Sequence, residues 1–154
     1  MELRLVARTP PPGQRYWQPF ELSPLFNDQW WCTWVDAQQD EYYSVFEGAV
    51  EVVRLHLEHH WQTFYVGVPA HVRRDGLQIQ FIETAADQRR RRHALRAVEA
   101  LASAYPDRVL IAYSECDEFW QALGWDQYQH EDADESPQLY QTLFVDPRSG
   151  QARS

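Results

Sequence analysis

Apolar residues alternate at the N-terminus, where Leu3, Leu5 and Ala7 predict a strand over 2–8 with one buried face. The run TPPPG then stops it. After a loop over 14–22, Ser23 followed by Pro24 is a helix start, because serine accepts bonds from free N–H groups and proline loses nothing at the first helical position. Leu25, Phe26, Trp30, Trp31, Trp34 and Val35 cluster three to four apart and extend that helix to Gln38. From Tyr42 the period changes to two. YYSVF, a Glu47-Gly48 turn and AVEVVRLHLEHHW read as a hairpin, with Val50, Val52, Leu55 and Leu57 marking inward positions.

QTFYVGV and LQIQFIE read as further strands, separated by a loop holding RRDG, where Asp75-Gly76 can turn. The pairing of strands between Gln62 and Glu83 stays open. Ala94, Leu95, Val98, Leu101 and Ala102 share one face of a helix that Pro106 ends. RVLIAYS is a short apolar strand of the kind covered on both faces. SECDEFWQALGW reads as a second helix, capped by Ser114 or Asp117 and stopped at Gly124, EDADESP as an exposed loop and QLYQTLFV as the last strand. The order predicts an α+β (α/β) domain over 1–146, in which a mixed, mostly antiparallel sheet is flanked by helices, with 147–154 a flexible tail.

Composition narrows the function. At 154 residues the chain is long enough for one core, and its 7 Trp, 8 Tyr and 7 Phe exclude a disordered polymer. A net charge of −9 disfavours nucleic acid as a partner. No apolar run reaches the length of a membrane span and the N-terminus lacks a signal-peptide core, so a cytoplasmic location without membrane attachment is expected. Cys32 and Cys116 are far apart without metal or disulfide spacing and are expected to be buried, reduced thiols.

Against that acidic background, TAADQRRRRHALRAVEALA sets Arg89, Arg90, Arg91 and Arg92 at a helix start. Four cations there face the positive end of the helix dipole and one another, and a counter-anion would relieve both. The alternative is that they splay into solvent. HLEHHW could suggest a metal site, but His56 and His60 on one strand are about 13 Å of chain apart. No Asp or Cys joins them at recognisable spacing, so no metal is expected.

The element order, together with RRRRHA over 89–94 and FWQALGW over 119–125, resembles the GNAT superfamily of N-acetyltransferases. In that family a [QR]xxGx[GA] loop after the central strand opens a helix whose N–H groups cradle the coenzyme A pyrophosphate. The resemblance implies that Arg89, Arg90, Arg91, Arg92, His93 and Ala94 hold the pyrophosphate. It further implies that the backbone of Ile82, Glu83 and Thr84 aligns pantetheine and that Tyr113 lies near the cofactor. It implies acetyl-CoA as co-substrate and a small-molecule or peptide amine as acceptor. Arg92 stands where the family has glycine, Trp120 where many members have a tyrosine acid, and Gln78 where some have a glutamate base. The alternative is therefore a catalytically inactive GNAT-like binding or regulatory protein, as a homodimer. The acidic residues Asp132, Asp134 and Glu135 would attract a cationic acceptor or simply form a solvated loop.

Overall fold

The computed structural model describes residues 2–59, 65–114, 117–131 and 141–148. Nine strands and four α-helices lie among them, and seven of the strands form one sheet. The strands are β1 (Leu3–Arg8), β2 (Tyr16–Trp17), β3 (Val35–Asp36), β4 (Asp40–Glu47), β5 (Val50–Glu58), β6 (Gly76–Thr84), β7 (Val109–Ser114), β8 (Asp126–Tyr128) and β9 (Thr142–Val145). The helices are α1 (Asp28–Trp31), α2 (Ala70–Asp75), α3 (His93–Ala104) and α4 (Asp117–Ala122). The sheet order is β1-β4-β5-β6-β7-β9-β8, with β6 and β7 parallel and the other assigned registers antiparallel. This is the mixed, mostly antiparallel sheet with flanking helices that the sequence predicts.

The chain gathers into two compact units, Met1–Glu58 with Gln80–Ser103, and His59–Ile79 with Ala104–Ser154. In the first unit, β4 and β5 form the predicted hairpin, turning through Gly48, whose φ of 61° suits a residue without a Cβ. A bulge between Val45 and Phe46 shifts its register. Beyond the bulge Val53, Leu55 and Leu57 share one face while Val52, Arg54 and His56 share the other, and Val52 to Leu55 are all buried. Val50, expected to point inward, is exposed beside the turn.

The predicted long helix over 23–38 is replaced by one turn. Ser23 Oγ accepts from Leu25 N at 3.2 Å, a local turn that competes with a helix, and the cap is Asn27, whose Oδ1 accepts from Gln29 N at 2.9 Å. The helix stops at Cys32 because aromatic and β-branched residues follow, and Val35–Asp36 instead pairs with Tyr16–Trp17. Trp17, Phe20, Phe26, Trp31, Tyr42 and Ala85 make the core of this region. Trp34 is exposed, so the aromatic positions never formed one helical stripe.

In the second unit, the expected RRDG loop is helix α2, entered through Pro69 and anchored by buried Val72. Gly76 has a φ of −60° and begins β6 directly, so no tight Asp75-Gly76 turn exists. Of QTFYVGV, residues 62–64 lie outside the described set, and Tyr65 makes an isolated bridge to His130. The parallel register runs Gly76↔Val109, Leu77↔Leu110 and Gln78↔Ile111. Tyr65, Val68, Val72, Val109, Ile111, Leu143 and Val145 form the core cluster. Helix α4 ends at Ala122 and the chain turns out of it through Gly124, with φ 76°, the predicted stop, and β8 follows where no strand is expected.

Candidate functional site

The arginine loop follows β6 after a 3-10 turn over Ala86–Gln88. Arg89, Arg90, Arg91 and Arg92 are all exposed, and Arg91 donates to Gln88 Oε1 at 3.1 Å. Arg90 and Arg92 adopt φ values of 67° and 62°, the left-handed region that L-residues usually avoid. Arg92 therefore keeps the backbone conformation glycine ordinarily fills, although its side chain is arginine.

Helix α3 begins at His93, and the first helical bond runs from Arg96 N to Arg92 O at 3.0 Å. The N–H groups of His93, Ala94 and Leu95 consequently have no carbonyl acceptor within the helix and lie at the positive end of its dipole. His93 is 2% exposed, and neither ring nitrogen has a hydrogen-bond partner. Buried imidazole nitrogens without partners are costly, which sets this helix start apart from an ordinary solvated one. Ala94 is half-buried beside it.

Ile82, Glu83 and Thr84 lie at the end of β6. The Glu83 side chain is committed to packing: Oε1 accepts from Asn27 N and from Trp31 Nε1, each at 2.8 Å. Phe81, two residues earlier on the same face, stacks on Trp30 at 5.2 Å. Tyr113 belongs to the other compact unit, where its ring lies 5.2 Å from that of Tyr65. Trp120 is buried between Phe119 at 4.8 Å and Trp125 at 4.6 Å, a packed aromatic cluster. Gln78 is buried on β6.

The hairpin carries a group of titratable side chains that the sequence did not single out. His56 Nε2 lies 2.8 Å from Asp40 Oδ2, and the donor atoms of Asp40, His56 and Glu58 all fall within 4.8 Å of one another. Burial holds the His56 imidazole below its ordinary pKa despite the Asp40 hydrogen bond. Burial, then the charge of Asp40, pushes the Glu58 carboxyl up, and burial with both carboxylates raises the Tyr42 phenol. The only sequence signal was HLEHHW. Asp40, 16 residues from His56, joins it only through strand register.

Cys32 is half-buried, and burial followed by Asp28 pushes its thiol pKa up, the opposite of an activated nucleophile. Cys116, His60, Asp132, Asp134, Glu135 and residues 149–154 lie outside the described set. Among the described residues no helix is long and apolar enough to cross a membrane.

No protein-family model matches the chain, and neither does any curated protein sequence. Among solved structures, an acetyltransferase from Thermus thermophilus is similar, with a TM-score of 0.51 and 18% sequence identity. The match covers 71% of this chain and 65% of that one. At that identity the likeness shows the fold: this chain shares an acetyltransferase-like architecture.

Proposed function

We propose that the protein is an acyl-CoA-dependent N-acyltransferase, with acetyl-CoA as the acyl donor and a small-molecule or peptide amine as acceptor. The observation that carries this reading is the exposed Arg89–Arg92 loop at the start of α3, with Arg90 and Arg92 held in left-handed conformations. Guanidinium forks match phosphate oxygens, and the unpaired N–H groups of the helix start complement the same anion. A pyrophosphate there would offset the mutual repulsion of four cations in a chain of net charge −9.

In this reading the acceptor nitrogen attacks the thioester carbonyl, the oxyanion collapses and the C–S bond breaks, releasing coenzyme A while the amine proton passes to solvent. Glu83 is bound to Trp31 and Asn27 and is not the base. Orientation of the two substrates, rather than a side-chain acid, would supply most of the acceleration. The acidic surface attracts a cationic acceptor by long-range steering.

The burial of Trp120 between Phe119 and Trp125 favours a second reading, in which the fold binds an acyl-CoA without turning it over. An assay of thiol release from acetyl-CoA against a panel of primary amines separates the two. Amine-dependent release is expected for the transferase. Saturable binding without release would leave the second reading standing.

A further inference from the structure

Asp40 and Glu58 are directly opposed in the β4–β5 register, and Tyr42 opposes His56 two residues further along. Side chains two apart on a strand share a face, so Asp40, Tyr42, His56 and Glu58 project together. We propose that Asp40, His56 and Glu58 form a binding site for one divalent transition-metal ion.

Like charges directly opposite on neighbouring strands are destabilising, and both carboxylates here are only partly exposed. A divalent ion held by a neutral imidazole and two carboxylates balances both. The donor atoms already lie within 4.8 Å of one another, so small side-chain rotations bring them to the roughly 2.0–2.2 Å bonds of a zinc-like ion.

The imidazole is also held in place. The Tyr42 ring stacks on His56 at 4.4 Å and 24°, and Phe81 lies 5.9 Å from it at 32°. A ligand ring fixed in this way has little orientation left to lose on binding. One nitrogen and two carboxylate donors suit zinc, cobalt or manganese rather than calcium or magnesium, which favour all-oxygen shells. Three protein ligands leave a coordination position open to water or another ligand. HLEHHW thus supplies one ligand and, at the end of its own strand, a second, while the partner strand supplies the third.

The full-length protein, stripped with chelator, is titrated with Zn²⁺ by calorimetry and with Co²⁺ by visible absorption. One ion per chain is expected, with ligand-field bands for bound Co²⁺. Affinity should fall at least about tenfold in each of D40N, H56Q and E58Q. H71Q, at an exposed histidine on α2, should leave it unchanged. D40N and E58Q keep size and hydrogen-bonding capacity, so the test survives if H56Q fails to fold. Absence of stoichiometric binding in the wild type, or unchanged binding in folded D40N and E58Q, would overturn the proposal. So would equal competition by Mg²⁺.

Discussion

The indole N–H of Trp31 donates to Glu83 Oε1 at 2.8 Å, and the same oxygen accepts the backbone N–H of Asn27. One carboxylate at the end of β6 therefore fixes both the cap and the last residue of the single-turn helix α1. Glu83→Ala should cost about 2 kcal/mol, because it leaves the buried Trp31 indole without an acceptor, whereas the N–H of exposed Asn27 can turn to water. Glu83→Gln, whose amide oxygen still accepts, should cost less. Urea unfolding of both variants checks the difference, and equal losses would contradict the assigned bonds.

Arg54 is 4% exposed and pairs with Glu51 at 3.1 Å, while its guanidinium lies 4.8 Å from the Phe20 ring and 4.2 Å from Phe26. Removing one partner of a buried pair costs on the order of 3 kcal/mol. Arg54→Ala is expected to lose at least that. Arg54→Met should lose less, since the apolar stem still fills the space between the two rings. Chemical denaturation of the pair of variants separates packing from charge.

Arg92 stores backbone strain. Arg92→Gly removes about 1–2 kcal/mol of left-handed cost, against about 0.5–1 kcal/mol of added chain entropy. The net expectation is a gain of up to about 1.5 kcal/mol, whereas Arg92→Ala keeps the strain and gains nothing. Equilibrium unfolding decides this, and equal stability of Gly and Ala variants would argue against the left-handed conformation.

Glu47 Oε2 accepts from Arg96 Nη1 at 2.8 Å, linking β4 to α3. That hydrogen bond is the chief cause holding the Glu47 carboxyl below its ordinary value of 4.5. The unfolded chain takes up this proton first on acidification, so the pair's contribution is complete above pH 4.5 and is lost as pH falls through the lower folded value. Stability measured between neutral and acid pH should therefore converge for wild type and Glu47→Gln at the acid end. A constant gap across the range would contradict the assignment.

The hairpin over 40–58 and helix α3 were legible in the sequence because period-two and period-3.6 patterns are local, and Gly48 and Pro106 punctuate them. The stretch over 23–38 misled because its aromatics have helical spacing, yet Asn27 capping, the Glu83 acceptor and pairing with β2 all act through residues elsewhere. The RRDG segment carried turn-forming residues, but Pro69 and buried Val72 favour a helix there. The arginine loop could be read as a charge cluster; the left-handed backbone of Arg90 and Arg92 could not. The Asp40, His56 and Glu58 group was invisible for a simpler reason, since only the register of two strands brings Asp40 to the others.

In the proposed function, the arginine loop at the start of α3 holds the phosphates of an acyl-CoA. Calorimetric titration with coenzyme A, for the wild type and an Arg89→Ala/Arg92→Ala variant, tests it directly. Saturable binding by the wild type is expected, weakening as salt rises and falling at least about tenfold in the variant, roughly the worth of one charge-assisted contact. Undetectable binding by the wild type, or binding of equal strength in the variant, would contradict it.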